Sequence, residues 1–171
     1  MPSNGFEPIR DGLRQAHDLH NELESFFEAY KESLKKVEIN FQTELNKYAC
    51  IRLAGFLEQL FYVSIRSYIL ATSNGKSSSF ALSHWRKAPN LGPEALDKLI
   101  ARFEFDGWNE SLSQLTGEER FRGNMGTLLK VRNDSAHGKP YSGNVRSVDS
   151  YKDMVDQIYL WVLETLLKID R

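Results

Sequence analysis

Apolar residues recur along this chain at steps of three and four almost throughout, the period of a helix that buries one face. From about Pro8 to Val37 the stripe is Leu13, Ala16, Leu19, Leu23, Phe26, Phe27, Tyr30 and Leu34, with acidic residues opposite. From about Thr43 to Ala71 the pattern changes. Ile51, Leu53, Ala54, Phe56, Leu57, Leu60, Phe61, Val63 and Ile65 are apolar nearly all round, as expected of the central helix of a bundle. The segment Thr72 to Ser79, TSNGKSSS, carries turn formers and no apolar anchor, and reads as a loop. The chain turns again around Pro89, Gly92 and Pro93. Pro93 suits the first position of a short helix ending near Phe105, and Trp108 to Leu115 adds another turn or two.

Thr116 followed by Glu119 has the capping-box spacing, and it would launch a helix carrying Phe121, Met125, Leu128, Leu129 and Val131. Gly138 and then Pro140 close that helix as a glycine terminator followed by a breaker. After a loop with Tyr141, Gly143 and Asn144, the last helix is expected from about Ser150, whose spacing to Asp153 repeats the capping-box pattern. Its buried stripe is Met154, Ile158, Trp161, Val162, Thr165, Leu166 and Ile169. No segment alternates as a strand would and no repeat of solenoid length is present, so the expected fold is an all-α bundle.

Length and composition narrow the class. The 171 residues suit one domain, 1–171, with a single core, and 41% hydrophobic against 26% charged residues is an ordinary globular balance. No apolar run reaches the roughly 18 residues that cross a bilayer, so no membrane partner is expected. Asn4, Glu7, Arg10, Asp11 and Arg14 leave no apolar core for a secretory signal. The single cysteine, Cys50, cannot form an internal disulfide and suits a reducing compartment, so a cytoplasmic protein is expected. A net charge of −1 argues against binding nucleic acid through a global positive field. Its distribution is uneven. Arg120 to Arg146 holds Arg120, Arg122, Lys130, Arg132, Lys139 and Arg146 against Asp134 alone, which leaves the rest of the chain at −6. Such a segment suits a local anionic ligand, or else a solvated surface balanced by the acidic first helix.

The chemistry concentrates at residues 132 to 138, RNDSAHG. Arginine with histidine five positions on is a weak signal by spacing alone. Its context adds weight: an apolar helical approach through Leu128, Leu129 and Val131, Asn133 directly after the arginine, and a glycine at the helix exit. The heptad resembles the R-x4-H signature of the HEPN superfamily, in which a polar residue, often Asn, follows the arginine. The resemblance extends to the long helix over Ile51 to Ile69 and to the amphipathic closing helix. It is nearest to the small RiboL-PSP-type HEPN proteins of prokaryotic defence and toxin–antitoxin systems. It implies a four- to five-helix bundle with two long antiparallel helices and short accessory helices. It further implies a homodimer whose motifs face each other, and metal-independent cleavage of RNA, with an antitoxin or defence-system protein as a further partner and no cofactor.

These residue types fit that chemistry. Attack of a ribose 2′-OH on the adjacent phosphorus needs a base for its proton, an acid for the leaving 5′ oxygen and positive charge on the phosphorane. A histidine can exchange protons near neutral pH, and an arginine forks two hydrogen bonds onto phosphate while staying charged. The expected catalytic set is therefore His137 for proton transfer, Arg132 as the clamp and Asn133 as an orienting group. Lys130, Lys139, Arg122 and Arg146 are candidate RNA contacts. Positions 132 and 137 lie about 140° apart around an ideal helix, so one chain brings them together only if the last turn unwinds, which Gly138 would permit. In the other reading His137 caps the helix end and Arg132 sits in a salt bridge.

Glu58 lies on the stripe of Ile51, Ala54, Gly55, Tyr62, Ile65 and Ile69, where a partly buried carboxylate needs a partner. Either Arg132 supplies it, which makes Glu58 a supporting residue of the site, or water or Arg66 does. His17, His20 and Glu24 share one side of the first helix at a spacing that suits metal ligation, although two exposed histidines on an acidic face are the ordinary explanation. His84-Trp85-Arg86 would either stack a base or anchor Trp85 in the core. No Walker loop, dinucleotide fingerprint or zinc spacing occurs. Two functions follow as expectations: an endoribonuclease, or a non-catalytic helical module that binds RNA, a nucleotide or a protein partner through the same basic segment.

Overall fold

The computed structural model describes residues 6–89 and 91–168; Asn4 and Ile169 of the patterns above lie outside them. Seven helices form, and no strand is present among the described residues. They are α1 (Phe6–Leu34), α2 (Ile39–Thr72), α3 (Gly75–Ser83), α4 (Pro93–Ala101), α5 (Asp106–Thr116), α6 (Glu119–Ala136) and α7 (Val145–Thr165). The two long helices form an antiparallel hairpin. The Tyr30 hydroxyl donates to Asn46 Oδ1 at 2.6 Å near the turn, and Gly12 packs on Ser67 and Leu167 at the far end. The turn is tied by Gln42 of α2, whose Nε2 donates to the Leu34 carbonyl at 3.2 Å, where the last carbonyls of α1 lack helical partners.

The all-round apolar pattern of α2 has its structural counterpart in burial. Leu53, Ala54, Leu57, Leu60, Phe61 and Ile65 are at most 2% exposed, and α1, α6 and α7 pack around them. From α6 come Phe121, Met125 and Leu128, and from α7 Met154, Ile158, Trp161 and Val162. Indole hydrogen bonds fix the smaller helices. Trp161 Nε1 donates to Ser111 Oγ of α5 at 3.0 Å, and Trp85 Nε1 to the Tyr62 carbonyl at 3.1 Å. The short helices are therefore fastened to the same core. No described helix is long and apolar enough to cross a membrane.

Several expected boundaries move, each for a local reason. TSNGKSSS is not a loop throughout, because α3 begins at Gly75 inside it. Ser78 is buried and Ser79 Oγ donates back to the Gly75 carbonyl at 3.2 Å, so packing and self-bonding overcome the serines' weak helix propensity. Thr116 caps nothing: it is 3% exposed at the end of α5, and α6 starts after Glu118 without a side-chain cap. The last helix starts at Val145, not near Ser150. Asn144 is its cap, its Oδ1 accepting from the Ser147 backbone N–H at 3.0 Å. The helix opened by Pro93 ends at Ala101 rather than Phe105, and Glu104 just beyond adopts a left-handed φ of 49°.

Candidate functional site

Helix α6 delivers the motif. Its core-facing side carries Phe121, Met125 and Leu128 into the bundle, and Arg132 continues that side for one more turn, where the core opens to solvent. There Arg132 meets α2. Its Nη2 donates to Glu58 Oε2 at 3.2 Å and lies 3.1 Å from Oε1. Oε1 is buried and accepts no directed hydrogen bond, so the second contact is Coulombic rather than a fork. The Glu58 side chain is 12% exposed and that of Arg132 is 38% exposed. The guanidinium is thus anchored on one edge and open on another. Asn133 holds a further part of it: its Oδ1 accepts from Arg132 Nη1 at 3.2 Å. The structure therefore brings Arg132, Asn133 and Glu58 together.

His137 is placed elsewhere. The helix does not unwind before it. The His137 N–H donates to the Asp134 carbonyl at 3.1 Å, which tightens the last turn. The chain reverses only at Gly138, with φ of 69°, where the Gly138 N–H donates to the Ser135 carbonyl and the Lys139 N–H to that of Asp134. No described hydrogen bond or ion pair joins His137 to Arg132. His137 is exposed, and its imidazole makes no hydrogen bond among the described residues.

The other cations divide. Lys139 Nζ is 2.8 Å from Asp134 Oδ1, and that hydrogen bond, with the charges of Lys139, Lys130 and His137, holds the Asp134 carboxyl below its usual range. Lys130 and Arg146 are exposed, Arg146 in the first turn of α7. Arg122 is engaged away from the motif, with Nη2 2.9 Å from Asp97 Oδ2 of α4. Within the basic segment, the ion pairs go to Asp97, Glu58 and Asp134, none of them on the acidic first helix.

The loop after the motif is built on buried groups of α1 and α2. Tyr30, Asn46 and Cys50 reach up to it. Asn46 Nδ2 donates to the Gly143 carbonyl at 3.5 Å and the Cys50 thiol donates to the Tyr141 hydroxyl oxygen at 3.5 Å. Burial pushes the Tyr30 and Tyr141 hydroxyls and the Cys50 thiol above their ordinary values. Asn46 offered a signal: it is an amide on the same helix face as Ala49, Cys50 and Leu53.

His17 does not join His20 and Glu24. Its Nδ1 shares a 2.6 Å hydrogen bond with the Tyr159 hydroxyl, while His20 stacks on the Tyr159 ring at 4.0 Å. Asp156 of α7 stands in its place, so that ligand atoms of His20, Glu24 and Asp156 lie within 4.8 Å of one another. A cation is already there. Lys152 Nζ bonds both Asp156 oxygens, at 2.6 and 2.7 Å, and Glu24. Trp85 is partly buried against the core, whereas His84 and Arg86 are exposed. No protein-family model, curated protein or solved structure matches the chain.

Proposed function

We propose that the chain is a metal-independent endoribonuclease that acts as a homodimer, as the RNDSAHG motif and its resemblance to HEPN proteins imply. The observation that carries the reading is the division of labour on α6. Arg132 is held on one side by Glu58 and Asn133, and His137 stands exposed on another at a glycine-terminated helix end. In one such chain no described contact joins the clamp to the proton carrier. A two-fold axis at the motif would set the clamp of each copy opposite the histidine of the other. In the composite site, one histidine takes the 2′-OH proton as the oxygen attacks phosphorus, and the P–O5′ bond breaks as a proton reaches O5′. The products are a 2′,3′-cyclic phosphate and a 5′-hydroxyl, and arginine offsets the charge on the phosphorane. The biological role that goes with this reading is a toxin or antiviral defence effector, kept in check by a cognate partner.

His137→Ala and Arg132→Ala are each expected to abolish cleavage of a single-stranded RNA while the helical circular dichroism and melting transition persist. Wild-type cleavage is expected to continue in EDTA and to leave cyclic phosphate ends, read by mass spectrometry. Unchanged cleavage in both variants would overturn the reading. The rival, a non-catalytic helical module that binds RNA, a nucleotide or a protein, draws on the engagement of Arg132 with Glu58, which is also how a purely structural arginine behaves. No cleavage by the wild type, with RNA binding retained, selects that rival.

A further inference from the structure

Beside the motif, on the side of α6 turned away from Arg132, lies a cavity of about 330 Å³ between that helix and the 138–144 loop. Thr127 and Val131 of α6 line it, Tyr141 and Tyr151 close it, and Lys130 and Lys139 line it too, both exposed to solvent. Its loop wall is fixed in place. Asn46, itself held by Tyr30, grips the Gly143 carbonyl. Gly143 is also the residue that lets the Tyr141 ring lie where it does, because a Cβ at 143 would fall 1.9 Å from the Tyr141 hydroxyl oxygen. Lys130, Lys139 and His137 all act electrostatically on Asp134. Lys130, Lys139 and the histidine that the proposed reaction uses thus gather about one carboxylate at the edge of a partly apolar cavity.

We propose that this cavity seats one nucleotide of the RNA strand, its base between Val131 and the Tyr141 wall and its phosphate on Lys130 and Lys139 beside His137. The shape and chemistry divide as a nucleotide does. Val131, Pro140 and the two tyrosines offer apolar and aromatic surface to a base, Ser135 and Ser142 offer it hydroxyls, and flexible ammonium groups at the edge suit a phosphate, which displaces Asp134 from Lys139. A free nucleotide has the same chemistry as a nucleotide within a strand, so the two are separated by the choice of probe. The assignment to RNA rests on the nuclease reading above, whereas the nucleotide site does not.

The test is calorimetric titration of the full chain with three probes: inorganic phosphate, adenosine 5′-monophosphate, and a diadenosine whose upstream 2′-OH is methylated so that it cannot be cut. The dinucleotide is expected to bind in a saturable way and more tightly than the monophosphate, with phosphate alone weakest. Thr127→Trp, which fills the cavity from an exposed position, and Lys130→Gln are each expected to weaken both nucleotide probes by about tenfold or more. Gly143→Ala, which displaces Tyr141, is expected to do the same without touching α6. Equal binding of phosphate and monophosphate, or unaltered affinity in Thr127→Trp and Gly143→Ala, overturns the cavity assignment. Equal affinity for the two nucleotide probes overturns its assignment to a strand. Wild-type RNA cleavage that Thr127→Trp leaves unchanged counts against the cavity alone. Nucleotide binding that the variant abolishes, in a chain that cuts no RNA, counts against the nuclease alone.

Discussion

Glu58 and Arg132 are unequal partners: the carboxylate is 12% exposed and the guanidinium 38% exposed. Burial makes an unpaired carboxylate costly, so Glu58 depends on Arg132 more than Arg132, with its outer edge in water, depends on Glu58. Solvent screening at the arginine limits the value of the pair. A double-mutant cycle of Glu58→Gln and Arg132→Gln, read by urea unfolding, is therefore expected to give a coupling of about 1 kcal/mol. A coupling near zero would mean that the contact holds nothing in place. That Glu58 needs a partner was legible in the sequence, because a lone carboxylate on an apolar helical stripe has few ways to be satisfied; that Arg132 rather than Arg66 or water supplies it was not. The links from Asn46 and Cys50 to the 141–143 loop were not legible. An amide and a thiol inside a helix do not announce which loop will come to them. Helical geometry alone set 132 and 137 apart only for a regular last turn, and Gly138 left an unwound one open. That the last turn would tighten at Gly138 was not legible.

At the scale of elements, the start of α7 distinguishes two capping patterns that compete in one stretch. Asn144 accepts the Ser147 N–H at 3.0 Å, with the Ser147 hydroxyl beside it at 3.2 Å. Ser150, in the sequence's other capping pattern, lies inside the helix and accepts from Arg120 Nη2 at 3.2 Å. Thermal unfolding should therefore show that Asn144→Ala costs about 1 kcal/mol. Ser150→Ala, which removes only a surface contact, is expected to cost under about 0.5 kcal/mol. The reverse order would contradict the placement of the cap. The apolar stripes of α1, α6 and α7 and the all-round apolar run of α2 were readable because each repeats over many turns. The short helices and the ends were harder to read. In α3 the deciding terms are the burial of Ser78 and a hydroxyl folded back on its own helix, and neither leaves a periodic mark. At Thr116 the capping-box spacing was present, but the residue was taken into the core instead.

The whole molecule is held by more than its apolar core. A layer of protonated groups lies between the helices: Tyr30, Cys50 and Tyr141 between α1, α2 and the 138–144 loop, and Tyr159 and Lys152 between α1 and α7. Burial raises Tyr30, Cys50, Tyr141, Tyr151 and Tyr159 above their ordinary values of 10.0 for tyrosine and 9.0 for cysteine. For Lys152 burial pulls down from 10.5, but hydrogen bonds and charge from Asp156 and Glu24 outweigh it and the net shift is upward. All six shifts are upward, so the consequences add. A group whose pKa is raised on folding contributes stability that is complete below its unfolded value and is lost as the pH climbs toward its folded value. Stability should thus hold level from pH 7 to about pH 8.5 and begin to fall near 9 as the cysteine of the unfolded chain ionises. It should then fall more steeply above 10, as the unfolded tyrosines and then lysine follow. Urea titrations are expected to show a loss of more than about 2 kcal/mol between pH 8 and pH 11. Cys50→Ala is expected to flatten the first part of that decline while leaving the part above pH 10. A flat profile to pH 11 would mean that these hydroxyls meet water in the folded chain, and that the α1–α2 hairpin, α7 and the 138–144 loop are joined less closely than their hydrogen bonds indicate.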